Sequence, residues 1–192
     1  TSDPAKQLAE LLALLDTAFC QFARIVRPGG YVFVNFGDNA FGKRIDGTET
    51  LTTVPMAVYY YPLGQKYGLE LQATRIWRKR FATMKFPFAL NSHPRPVFDY
   101  EHLWTWRKPD GTGKEVVRDH KISRRGVWAT SNEDEANFPC ERSVLANHCA
   151  AFPLAIPANA ITLYSAPGDT VLDPFMGSGT TGVAAVDAAR RH

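Results

Sequence analysis

The chain has 192 residues, 45% of them hydrophobic, which suits one domain able to close a core and carry an inserted subdomain. No run of about 18 apolar residues occurs and no charged-then-apolar leader opens the sequence, so membrane insertion and secretion are not expected and cytoplasmic residence is. The net charge of +3 is unevenly spread: residues 65–125 hold 14 Lys and Arg against 6 Asp and Glu, and the remainder holds 8 against 13. A basic block between two apolar-rich ends is the footprint expected for a nucleic-acid partner. Cys20, Cys140 and Cys149 are odd in number without short spacing, and His148 beside Cys149 makes a poor metal set, so neither a disulfide framework nor a metal site is expected.

In chain order, Leu8, Leu11, Leu12, Leu15, Phe19, Phe22, Ala23 and Val26 form the stripe of a helix laid on a core. Pro28-Gly29-Gly30 ends it, because proline disfavours helical dihedrals at Arg27 and the glycines turn the chain. Tyr31 to Phe36 is nearly all apolar, which predicts a strand covered on both faces, as in a parallel sheet. Gly37-Asp38-Asn39 then stands where ligands bind in open α/β sheets, outside a strand's carboxyl end. A helix is predicted around Pro55 to Tyr67, a weakly alternating strand over Leu69 to Trp77, and another strand over Val97 to Trp106 whose Phe98, Tyr100, Leu103, Trp104 and Trp106 are core candidates. Lys108 to Gly113 reads as a turn, Arg118 to Arg125 as a polar basic stretch, and Glu133-Asp134-Glu135 as solvated surface. His148 to Pro153 leads into an apolar helix ending near Tyr164, and Ala166-Pro167-Gly168-Asp169 turns into the last strand.

That strand carries the strongest signal. Thr170-Val171-Leu172 runs into Asp173-Pro174-Phe175-Met176-Gly177-Ser178-Gly179-Thr180-Thr181 and then an Ala-rich helix. Gly177 and Gly179 clear the way for a ligand to approach bare backbone, and the helix start offers N–H groups to an anion. A triphosphate loop is the rival reading, but Thr180-Thr181 stand where such a loop places its lysine.

Letter by letter, this loop resembles the S-adenosylmethionine-binding loop of the DNA amino-methyltransferases, which methylate the exocyclic nitrogen of cytosine or adenine. The order of parts is similar to the permutation with the catalytic segment first, target recognition in the middle and the cofactor loop last. The resemblance implies an α/β, Rossmann-like S-adenosylmethionine-dependent methyltransferase fold with an inserted target-recognition region. It implies a catalytic half over residues 1–64, a basic recognition region over 65–125 and a cofactor-binding half over 126–192.

Asp173 would then end a strand, Phe175 and Met176 would lie against S-adenosylmethionine, and Gly177, Ser178, Gly179, Thr180 and Thr181 would line its amino-acid end. Phe152, in a segment similar to a His-x-x-x-Phe-Pro element, would pack by the methionine part. Asn35 and Asp38 are further cofactor candidates. The family's catalytic Ser or Asp, Pro-Pro, aromatic motif is matched only in its approach, by Thr1-Ser2; Asp3 and Ala5 replace a proline and the ring. Ser2, Asp3 and Pro4 are the catalytic candidates, and residues of that motif are expected to be missing between Ser2 and Asp3. Arg75, Arg78, Lys79, Arg80, Lys85, Arg124 and Arg125 are the candidate DNA contacts.

Thr1-Ser2 favours N4-cytosine, with N6-adenine and a non-catalytic DNA- or cofactor-binding remnant as alternatives. Double-stranded DNA is the implied partner, a cognate restriction endonuclease a further one, and a monomer or homodimer the implied state. The implied setting is the cytoplasm of a bacterial or phage-like host, or a nucleus in a eukaryote.

Overall fold

A computed structural model describes residues 3–45, 48–79, 99–110, 120–129 and 152–192, with the backbone alone for 40–45, 48–52, 120 and 123. Two compact units are present: Thr1–Thr74 with Glu101–Lys114, and Arg75–Tyr100 with Glu115–His192. Strand β4 begins in the first and ends in the second.

The first unit opens with α1 (Pro4–Ile25), whose leucine and phenylalanine stripe packs inward with Phe19 at its centre. Asp3 caps the helix by accepting the Ala5 N–H at 3.1 Å, and Pro4 takes the position where a missing N–H costs nothing. At the other end Lys108 Nζ donates to the carbonyls of Ala23 and Val26 at 2.7 and 3.1 Å, placing a cation on the helix's negative terminus. Gly29, at φ +74°, then turns the chain into β1 (Tyr31–Phe36).

β1 differs from the parallel neighbourhood its apolar run predicts. It pairs antiparallel with β5 (Tyr100–Arg107), Tyr31 opposite Arg107 and Phe36 opposite His102. An apolar run reports that a strand's faces are covered; it carries nothing about the direction of the neighbour. After β1, β2 (Asn39–Ile45) and β3 (Thr48–Val54) form an antiparallel hairpin, and α2 (Ala57–Lys66) follows.

β4 (Glu70–Arg78) alternates in burial as its sequence predicts, and the four-stranded sheet runs β1-β5-β4-β6. Phe98 lies outside the described residues; Leu103 and Trp106 are fully buried, while Tyr100 and Trp104 are half-buried. Trp106 meets Phe19 edge-on at 5.2 Å, and Tyr60 of α2 stacks on Phe36 at 3.9 Å.

In the second unit, α3 (His120–Ser123) is a single turn in the basic stretch, and β6 (Val127–Ala129) pairs parallel with the end of β4, Trp77 opposite Trp128. Then come α4 (Ala155–Tyr164) and α5 (Thr180–Asp187). Ile161, Ala184 and Ala185 join them in one apolar cluster with Val171 beside it. The acidic stretch at 133–135 lies outside the described residues.

Candidate functional site

The turn that leads from α4 to the loop is closed by Asp169, whose carboxylate accepts the Ala166 N–H at 2.8 Å. Thr170 then bridges Arg191 in parallel, with Val171 N–H to Arg191 O at 2.8 Å and Arg191 N–H to Asp169 O at 2.9 Å. Thr170 and Arg191 thus make one isolated parallel bridge on either side of the loop and α5; the strand expected over Thr170–Leu172 goes no further than this bridge, and Leu172 is 64% exposed.

The loop hangs from this unit. Asp173 Oδ1 accepts the Phe175 N–H at 2.9 Å, a local turn that spends the carboxylate on shaping the backbone. Gly179 N–H bonds Met176 O at 2.8 Å, and Gly179 O accepts the Val183 N–H at 3.1 Å as the first bond of α5. Gly177 and Gly179 lie at φ +54° and +82°, a region L-residues enter at a cost. Among the described residues nothing lies within 4 Å of where a Cβ on Gly179 would stand. Thr180 is buried, its hydroxyl 3.0 Å from that of Ser178, while Thr181 is half-buried. Phe175 and Met176 are 66% and 49% exposed, large apolar groups offered outward beside bare backbone. Phe152 is half-buried just before Pro153, which is fully buried ahead of α4.

Within the first unit, Asp38 follows β1. Its Oδ1 accepts the Met56 N–H at 2.9 Å, so a carboxylate supplies an acceptor at the start of α2, where Met56 brings no side-chain cap. His102 Nε2 lies 3.6 Å from the same oxygen, its ring stacked on Phe36 at 4.9 Å. The sequence reading missed His102; the one signal for it is its place opposite Phe36 in the register. Asn35 Oδ1 is buried without a hydrogen-bond partner among the described residues, an orphan acceptor of the kind that marks functional sites.

Among the catalytic candidates, Asp3 and Pro4 start α1, and Ser2 lies outside the described residues. Among the basic candidates, strand parity separates two. Arg78 faces outward with Ile76 and is exposed; Arg75 faces inward with Trp77 and is 8% exposed. The Arg75 guanidinium lies 5.4 Å from the Trp128 ring and 5.8 Å from that of Tyr164, and its Nη1 donates to the Tyr164 hydroxyl. Arg75 thus differs in its surroundings from the exposed basic candidates.

Lys79 sits 5.2 Å over the Trp77 ring, and Arg124 and Arg125 are exposed; Arg80 and Lys85 lie outside the described residues. On the outward face, Ile76, Arg78, Asp99, Tyr100 and Val127 line an open cavity of about 330 Å³. Among the described residues no helix is long and apolar enough to cross a membrane.

An isolated parallel bridge around a loop-helix segment, two left-handed glycines in that loop and a mixed four-stranded sheet are consistent with a Rossmann-like α/β protein. The chain belongs to the N6/N4 DNA methylase family, whose model matches residues 3–192. It is 36% identical over 138 residues to the type II methyltransferase M.BglI of Bacillus subtilis, covering 66% of this chain and 35% of that protein. It is 39% identical over 185 residues to the type II methyltransferase M.MjaI of Methanocaldococcus jannaschii, covering 87% and 57%. A putative DNA modification methylase from Thermus thermophilus, solved complexed with S-adenosyl-L-methionine, shares the fold with a TM-score of 0.65 at 24% identity, covering 97% of this chain and 71% of that one. The chain spans 35% of the length of M.BglI and 66% of that of M.Cfr9I of Citrobacter freundii.

Proposed function

We propose that this chain carries the methyltransferase domain of a site-specific DNA methyltransferase that moves a methyl group from S-adenosylmethionine to the exocyclic N4 of cytosine in duplex DNA after base flipping. The observation that carries the reading is the loop from Asp173 to Thr181. Its backbone is open at Gly179, its two glycines are left-handed, and its apolar side chains stand outward, features that fit a ligand with a charged amino-acid end and an apolar body. When bound, S-adenosylmethionine supplies an electrophilic methyl group on a sulfonium sulfur.

Asp173 shapes the loop; Gly177, Ser178, Gly179, Thr180 and Thr181 hold the amino-acid end through backbone N–H and hydroxyl groups. Phe175, Met176 and Phe152 cover apolar parts and keep water away. In the first unit, Asn35 Oδ1 is an acceptor for a ligand donor, and Asp38 keeps the end of β1 fixed to the start of α2. Residues 1–64, 65–125 and 126–192 serve as catalytic half, target-recognition region and cofactor half.

An exocyclic amine is a poor nucleophile because its lone pair is delocalised into the ring, and in a duplex it is also hydrogen-bonded. Extruding the base costs a few kcal/mol, repaid by contacts in a pocket. Ser2, with Asp3 as the alternative and the Pro4 carbonyl as a further acceptor, accepts the amine hydrogens and frees the nitrogen lone pair to attack the methyl group. Arg78, Lys79, Arg80, Lys85, Arg124 and Arg125 hold phosphates, which fix register without reading sequence. A restriction endonuclease of the same specificity would be the biological partner, and the enzyme works as a monomer or homodimer.

Incubation with tritiated S-adenosylmethionine and mixed-sequence duplex DNA, followed by digestion to nucleosides, tests this. Label in N4-methylcytosine is expected. Label in N6-methyladenine would move the reading to adenine, which the family model spans equally. No label from a protein that still binds the cofactor would make this chain a binding remnant.

A further inference from the structure

The geometry points to Arg75 as a positioning residue for the cofactor loop rather than a DNA contact. This rests on the loop being the cofactor site.

Arg75 lies within the most basic part of the sequence, yet it is on the inward face of β4, buried within the second unit to which it belongs. Its guanidinium is flanked by the rings of Trp128 in β6 and Tyr164 in α4, and donates to the Tyr164 hydroxyl. Planar cations stack well on aromatic faces, and a buried one is costly to move because its partners would be left behind. Tyr164 is the last residue of α4, which links the two proposed cofactor elements of this unit: Phe152-Pro153 stand before the helix and the segment entering the loop after it.

From Tyr164 onward the chain is tied at successive points. Ser165 Oγ donates to Ile161 O at 2.7 Å. Arg190, just past α5, donates to that same Oγ at 3.0 Å, to Ser165 O at 2.8 Å, and to Ala188 O. Gly168 N–H bonds Ala189 O at 2.8 Å. Two arginines thus grip the junction from either side of it in the sequence, Arg190 fixing it to the end of α5 and Arg75 fixing it to β4. Without the Arg75 grip, α4 keeps its apolar packing and the Arg190 ties but loses the polar contact that fixes its last residue, and with it the exact placing of Phe152 and of the segment entering the loop.

The test uses Tyr164→Phe, which keeps the ring and removes only the hydroxyl, and Arg75→Met, which keeps the stem. Titration calorimetry with S-adenosylmethionine is expected to show affinity weakened about tenfold in each. The double variant should be no weaker than Arg75→Met alone, since both remove one contact. At saturating cofactor Tyr164→Phe should retain the wild-type kcat, so the effect falls on KM for the cofactor; general destabilisation would not divide this way. The salt slope of duplex binding should stay at the wild-type value in both, whereas Arg78→Ala lowers it by about 1 and leaves cofactor affinity unchanged.

Wild-type protein that binds no S-adenosylmethionine would overturn the loop assignment and the inference with it. Wild-type binding with unaltered affinity in Tyr164→Phe and Arg75→Met would overturn the inference alone. A salt slope lowered by about 1 in Arg75→Met would return the residue to the DNA contacts.

Discussion

Gly179 stands at the N-cap of α5 with φ +82° and ψ 9°, and a Cβ built on it meets no atom of the described residues within 4 Å. Gly179→Ala therefore separates two costs. The fold loses about 1–2 kcal/mol for placing an L-residue in the left-handed region. Part of that, about 0.4–1 kcal/mol, is returned because alanine restricts the unfolded chain. No steric contribution enters, so the net loss is about 1 kcal/mol, a fall in Tm of roughly 2–4 °C for a chain of this size. Cofactor binding should suffer more, because the open space beside Gly179 is where a ligand would reach backbone. Losing one hydrogen bond to a charged group costs about 1.5–3 kcal/mol, a weakening of roughly ten- to a hundredfold. Calorimetric titration with S-adenosylmethionine and a thermal melt on the same samples give both numbers. Affinity preserved within about twofold beside the expected fall in Tm would refute the reasoning, since the added methyl would then stand where no ligand goes.

Gly64→Ala should destabilise the first unit: its Cβ would lie 2.2 Å from Trp106 Nε1, and the fully buried ring has nowhere to move. Overpacking of about 1–3 kcal/mol or more outweighs a helix-propensity gain of about 1 kcal/mol, so the urea midpoint should fall, with partial recovery when Trp106→Leu is added; a higher midpoint would show that the ring has room. Burial pushes the Tyr60 phenol up to about 12 from 10.0. Both states are protonated at lower pH, and the unfolded chain ionises first above about 10, so this contribution is intact below about pH 10 and lost as pH rises to about 12. Denaturation curves across that window should flatten in Tyr60→Phe; an unchanged slope would count against the buried phenol. Ala189, at φ +56° just past α5, pays a left-handed penalty that glycine would not, so Ala189→Gly should raise the melting point, by about 1 kcal/mol of stability; a lowered Tm would contradict the assigned backbone.

Asp46-Gly47 marks a limit of reading along the chain. A two-residue Asp-Gly between strand-length segments is a hairpin signal, and the register pairs Ile45 with Thr48 on either side of it, yet the reading in chain order passed over it. Asp38 shows a different limit. Its position after β1 suggested ligand binding, whereas its partners at Met56 and His102 come from elements that meet it only through folding.

What the sequence determined by itself was everything governed by short-range geometry. The stripe from Leu8 to Val26 specified α1, the Pro-Gly-Gly stop specified its end, and the glycine spacing specified a loop open to a ligand, because helical period, proline sterics and the left-handed freedom of glycine all act within a few residues. Tertiary structure alone decided which strand lay beside β1 and in which direction, since apolar side chains cover a sheet equally well in either. It also decided the fate of the basic residues. Charge composition could not tell Arg75 from Arg78, three positions apart on one strand; the two-residue strand period sent one inward among rings and the other outward, and only the packed sheet fixed which face was which.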